Sequence, residues 1–111
     1  MPELHHYDVI WSEVAVSDLD QIVTFIAERN PQNAITLWRR IRLRIESLSH
    51  APFRSRLVPE LKVIGLDIYR ELIVEPYRVL LRVKSKKVLI LGVFDGRRDM
   101  EEVLFERLTR L

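Results

Sequence analysis

Between Tyr69 and Asp99 the chain reads YRELIVEPYRVLLRVKSKKVLILGVFDGRRD, and no other stretch restricts the fold so tightly. Apolar and aromatic runs are interrupted twice by connections of turn size, Glu75-Pro76 and Ser85-Lys86. A two-residue loop can reverse a chain but cannot carry a parallel crossover, so neighbouring strands here must pair antiparallel. The segment therefore predicts a meander over residues 69–74, 77–84 and 87–94. Leu89-Ile90-Leu91 makes the last strand apolar on both faces, which places it inside the sheet with both faces covered. Side chains two apart on a strand share a face, and the expectation is that Arg70, Arg78 and Arg82 stand together as a basic surface.

The preceding half supplies what such a sheet packs against. Tyr7 to Trp11 reads as a short first strand, and Ser12 offers a helix cap. Leu19, Ile22, Val23, Ile26 and Ala27 then recur at helical spacing. Asn30-Pro31 ends that helix and starts another, with Asn as N-cap and Pro at the first helical position. The second helix carries an apolar stripe through Ala34, Leu37, Trp38, Ile41, Ile45 and Leu48, and arginines at 39, 40, 42 and 44 on its remaining surface. With almost no loop between them, the two helices form an antiparallel hairpin. Residues 50–66 are irregular, broken by Pro52, Pro59 and Gly65. Asp99 caps a final short helix whose Val103, Leu104 and Leu108 face inward. The order β-αα-βββ-α predicts an α+β fold: a helical hairpin on one face of a small, mainly antiparallel twisted sheet, the other face open for binding.

At 111 residues the whole chain, 1–111, reads as one domain. No apolar run approaches the roughly 18–20 residues of a membrane span, and the N-terminus has no signal-peptide core, so the expected location is the cytoplasm. The chain has no cysteine, which removes disulfides and thiolate metal sites. Its formal net charge of +2 is too small to argue for nucleic acid, so the placement of charge matters more.

Guanidinium groups grip phosphates with paired hydrogen bonds, so Arg70, Arg78 and Arg98 are the sharpest candidates for chemistry on a polyanion. The same residues also fit a solvated strand face with Glu71, Glu75 and Asp95 as ion-pair partners. Gly96-Arg97-Arg98-Asp99 forms the turn into the last helix, with Gly96 supplying an unusual backbone angle. His5, His6 and His50 have no third ligand at a metal spacing, so neither a metal nor a cofactor is expected. Trp11, Trp38 and Phe25 fall on apolar stripes and read as core.

Taken together, several segments are similar to the RelE/ParE superfamily of toxins from bacterial type II toxin–antitoxin modules, also known as plasmid stabilisation proteins. They are Val9-Ile10-Trp11-Ser12, Asn30-Pro31, Arg56-Leu57-Val58-Pro59-Glu60-Leu61, Tyr69-Arg70-Glu71-Leu72, Pro76-Tyr77-Arg78 and Gly96-Arg97-Arg98-Asp99. The resemblance implies a cognate antitoxin that wraps the hairpin and sheet in a hetero-oligomer. It also implies a basic binding surface of Arg56, Arg70, Arg78, Arg82, Arg97, Arg98 and Asp99. In the RelE-like branch, which cuts messenger RNA on the ribosome, Arg70, Arg78 and Arg98 would be catalytic. Leu72 stands where that branch has a second basic residue, and Leu104-Phe105 where it has a tyrosine. RNA cleavage needs a general base and a general acid, roles that arginine fills poorly. The resemblance therefore points to the ParE-like branch, which binds and inhibits DNA gyrase. The alternatives are the ribosome-dependent endoribonuclease and an inactive antitoxin-binding homologue.

Overall fold

The structure, a computed structural model, describes residues 6–111; His5 lies outside them. In chain order it runs β1 (Asp8–Trp11), α1 (Glu13–Ala27), α2 (Pro31–Glu46), β2 (Arg56–Leu57), α3 (Pro59–Lys62), β3 (Tyr69–Val74), β4 (Tyr77–Lys84), β5 (Lys87–Asp95) and α4 (Met100–Leu108). Two 3-10 turns, Ser47–Ser49 and Pro52–Arg54, link α2 to β2. The caps form as expected: Ser12 Oγ accepts from the Ala15 N–H at 3.1 Å, and Asn30 Oδ1 from the Asn33 N–H at 3.1 Å.

The sheet order is β1-β5-β4-β3-β2. The predicted meander supplies three of its strands, and β1 joins β5 as the one parallel pair. The apolar β5 is thus an interior strand. A bulge sets Leu81 opposite Ile90 and Leu80 opposite Gly92, leaving Leu91 as the extra residue on β5.

One face of the sheet carries Leu72, Val79, Leu81 and Ile90 against Ala15 and Leu19 of α1 and Leu37, Ile41 and Ile45 of α2. The opposite face was expected to be open, and it is not. There Leu80 and Phe94 pack with Val58 and Leu61 around α3 and with Met100 and Leu104 of α4. The returning C-terminal helix and the short α3 bury the apolar residues that β4 and β5 present on that side.

Two aromatics expected in the core are exposed instead, Phe25 by 60% and Trp38 by 41%. Each residue advances about 100° around a helix. Leu37 and Ile41 take the stripe facing the sheet, and Trp38 is carried past its edge. Phe25 is displaced in the same way from half-buried Ile22 and Ile26.

Both outer strands stop short, and side chains complete the exposed edges. Beyond β2, Arg44 Nη2 donates to the Ile73 carbonyl at 3.1 Å and Arg40 Nη2 to the Glu75 carbonyl at 2.6 Å. Beyond β1, Asp18 Oδ2 accepts from the Val93 N–H at 3.0 Å, and Arg107 Nη1 donates to the Leu91 carbonyl at 2.9 Å. Unpaired strand edges template association, and these contacts blunt them.

Candidate functional site

Arg70, Arg78 and Arg82 do not share a face. The register pairs Arg70 with Leu81, whereas Arg82 pairs with Tyr69 and Arg78 with Ile73. Directly opposed residues point the same way, so Arg70 belongs to the α1–α2 side and the other two to the α3–α4 side. Spacing within a strand predicts a shared face, but relation across a hairpin depends on register. Arg70 turns to the chain beside it: its Nε donates to Ser55 Oγ at 3.0 Å and its Nη2 to the Ser55 carbonyl at 2.6 Å. Its guanidinium also lies 5.2 Å from the centre of the Phe53 ring.

Arg78 is the centre of a network. Its Nε donates to Glu71 Oε1 at 2.6 Å, and its Nη1 and Nη2 reach the two Glu60 oxygens at 2.9 and 2.6 Å. Arg56, directly opposite Glu71 on β2, donates to Glu71 Oε2 at 2.7 Å. Glu71 and Arg78 are diagonal neighbours on one sheet face, within reach of long side chains. Glu71 is only 2% exposed, and a buried carboxylate is tolerated when both of its oxygens are held by cations. The forked bond from Arg78 holds the Glu60 carboxyl below its ordinary value and raises the pKa of Arg78. Two arginines and two glutamates thus tie β2, α3, β3 and β4 together and neutralise one another.

A cleft of about 260 Å³ opens beside Arg78, lined by Arg56, Ile73, Glu75, Pro76, Gly96 and Arg97. Gly96 has an ordinary backbone angle, contrary to expectation. A Cβ there would sit 2.9 Å from the Pro76 carbonyl oxygen, so glycine is needed for close approach of two turns. The exposed Arg97 binds the half-buried Asp95 at 2.6 Å and pulls its carboxyl down to about 2. Asp99 caps α4, accepting from the Glu102 N–H at 3.3 Å. Among the described residues, the Arg82 and Arg98 side chains have no hydrogen bond or ion pair.

Sequence reasoning missed the pair that fastens α4 to α1. Arg107 Nη1 and Nη2 meet Asp18 Oδ2 and Oδ1 at 2.8 and 2.9 Å. The two residues lie 89 positions apart and carry no local signal. Gly92 leaves room for this clasp: a Cβ there would come within 2.5 Å of Phe94 and 2.7 Å of Arg107. Beside the clasp runs a second and larger groove of about 490 Å³, bounded by α1, the end of β5 and the turn before α4. Arg98 and Arg97 line it together with Phe25, Tyr77 and Asp95. Among the described residues, no group of three or more His, Asp or Glu side chains could hold a metal ion.

The comparisons with known proteins agree with this architecture. A chain of the chromosomal ParDE toxin–antitoxin system from P. aeruginosa matches with a TM-score of 0.68 at 23% identity, over 82% of this chain and 97% of that one. A chain of the RelBE2 toxin–antitoxin complex from Mycobacterium tuberculosis matches with a TM-score of 0.56 at 19% identity, over 86% and 97%. The free E. coli toxin RelE, as a double arginine-to-alanine mutant, matches with a TM-score of 0.61 at 14% identity, over 96% and 98%. At these identities the likeness is one of fold. No curated protein sequence matches the chain. The sequence model of the ParE toxin of type II toxin–antitoxin systems matches residues 9–100, and the chain therefore belongs to the ParE toxin family.

Proposed function

We propose that residues 1–111 act as one ParE-like toxin unit that arrests growth in the cytoplasm by binding and inhibiting DNA gyrase, and that a cognate antitoxin neutralises it in a hetero-oligomer. The observation that carries this reading is the occupancy of Arg78. Each of its nitrogens already donates to a carboxylate of the same chain, which leaves no free fork for a phosphate. Glu60, one of the two carboxylates on Arg78, is held ionised by it and is a poor general acid near neutrality. Arg70 faces the other side of the sheet and Arg98 lines a different groove, so the three arginines make no common phosphate cradle. These features favour a toxin that acts by binding over one that cuts RNA.

The residues proposed to meet partners are Arg56, Arg78, Arg82, Arg97, Arg98 and the acidic Asp99, with Arg70 on the opposite side of the sheet. Of these, Arg82 and Arg98 have uncommitted guanidinium groups among the described residues, and Arg97 is exposed. The antitoxin is supported by the ParE family match and by the toxin–antitoxin complexes among the structural relatives.

Short induction of the chain in a bacterial host, with transcript integrity and the DNA-damage response followed together, tests the target. DNA damage with intact messages is expected, as is loss of supercoiling by purified gyrase on adding the protein. Ribosome-dependent cuts in messenger RNA without DNA damage would overturn the reading. Coexpression of the neighbouring small gene should restore growth.

A further inference from the structure

We propose that the outer face of α2 is a self-association surface, on which a second copy of this chain docks antiparallel about a two-fold axis at Leu43. This goes beyond the target reading above and does not depend on it.

The buried stripe of α2, Leu37, Ile41 and Ile45, faces the sheet. On the other side of the helix stands Leu43, 72% exposed. Residues three, four and seven apart on a helix surround one depression, the hole that receives a side chain from a facing helix. Arg39, Arg42, Leu43 and Glu46 have that spacing, and with Trp38 as a wall they line a depression of about 420 Å³. The helix thus offers a hole and, in Leu43, a knob at the same level.

The charges around the hole decide what fills it. Arg39 and Glu46 stand at its two ends, and neither makes an ion pair or a side-chain hydrogen bond among the described residues. Arg42 is held by its own chain, its guanidinium 5.1 Å from the centre of the Trp38 ring and 5.8 Å from that of Trp11. Arg40 and Arg44 are turned away to the carbonyls of Glu75 and Ile73. The face therefore carries opposite unpaired charges one turn to either side of Leu43. A second α2 related by a two-fold axis at Leu43 runs antiparallel to the first. Each Leu43 then enters the hole of the other copy, and each Arg39 faces the other's Glu46. A parallel copy would set Arg39 against Arg39, and a peptide of one sign would match only one end of the hole. The two Arg42 charges oppose the contact. A single face of a 16-residue helix, about 24 Å long, also covers less than the roughly 800 Å² per partner of a standard interface, so the dimer is a weak one.

The test is analytical ultracentrifugation of the whole chain between about 10 µM and 1 mM, where a reversible monomer–dimer equilibrium is expected. Leu43→Ser should weaken the dimer about tenfold, whereas Phe105→Ser, which removes a comparably exposed apolar side chain from α4, should leave it unchanged. Arg39→Glu and Glu46→Arg should each weaken it, and the two together should restore it. Every substituted side chain is exposed, so the fold does not depend on it. The chain has no cysteine, and the two-fold axis therefore predicts disulfide-linked dimers of Leu43→Cys on mild oxidation. Ile35→Cys, two turns away on the same helix, should stay unlinked. A chain that is monomeric over the whole range, a dimer indifferent to Leu43→Ser, or a double charge reversal no tighter than the single ones would overturn the proposal. So would equal linking of the two cysteine variants, or open-ended oligomers, the mark of a head-to-tail contact.

Discussion

Arg78 and Arg98 lie close in the fold, with Arg97 forming a wall of both their clefts, but their surroundings are opposite. Arg78 is enclosed by Glu60 and Glu71 and links β4 to β3 and α3. Arg98 is exposed beside an apolar groove, and its side chain makes no hydrogen bond or ion pair among the described residues. One residue type is thus bound within the chain at one site and left open to solvent at the other. The deciding factor is whether a carboxylate of the same chain stands within reach. A charge already paired has spent its directional bonds, whereas an unpaired one on a rigid turn can be offered to a partner at little cost in ordering.

The largest effect expected from breaking this contrast is Glu71→Gln. Removing one charge from a buried cluster strands its partners, and losses of about 3–5 kcal/mol accompany such changes. Urea denaturation should show a fall of that order, whereas Arg98→Gln should leave the midpoint almost unmoved. Equal losses in the two variants would dissolve the distinction. Next in size is Gly92→Ala, which forces Phe94 or Arg107 to move; overpacking of this kind costs about 1–3 kcal/mol.

A smaller effect separates the sites by pH. The folded pKa of Glu60 lies below its ordinary 4.5, so its stabilising contribution is complete above that value. It is lost as pH falls through the folded value. The stability gap between the wild type and Glu60→Gln should be constant near neutrality and narrow below about pH 4.5; a gap that widens in acid would contradict the pairing. The smallest effect belongs to the Asp95–Arg97 pair, whose arginine is exposed. Arg97→Ala should shift the denaturation midpoint slightly at about 0.1 M salt and not at all at about 1 M, where screening is short-ranged.

How much of this was legible beforehand follows from the range of each interaction. The boundaries of β3 and β4, the caps Ser12, Asn30 and Asp99, and the interior place of β5 depend on residues a few positions apart, and they could be read directly. The Glu71–Arg78 contact was half legible. Both residues sit in one hairpin, but their common face, and the exclusion of Arg70 from it, wait on the register. The Asp18–Arg107 clasp had no local trace, because it joins opposite ends of the chain, and the closeness of Gly92 to Arg107 depends on where α4 returns against the sheet.

By itself, then, the sequence determined the α+β class, the antiparallel meander and the family, all of which rest on periodicity, turn chemistry and contiguous motifs, while β2 and α3 lay hidden in the irregular stretch 50–66. Only the tertiary structure decided which arginines are bound and which are offered. Pairing depends on distances between side chains from separate strands and helices, and those distances exist only once register and packing have placed them.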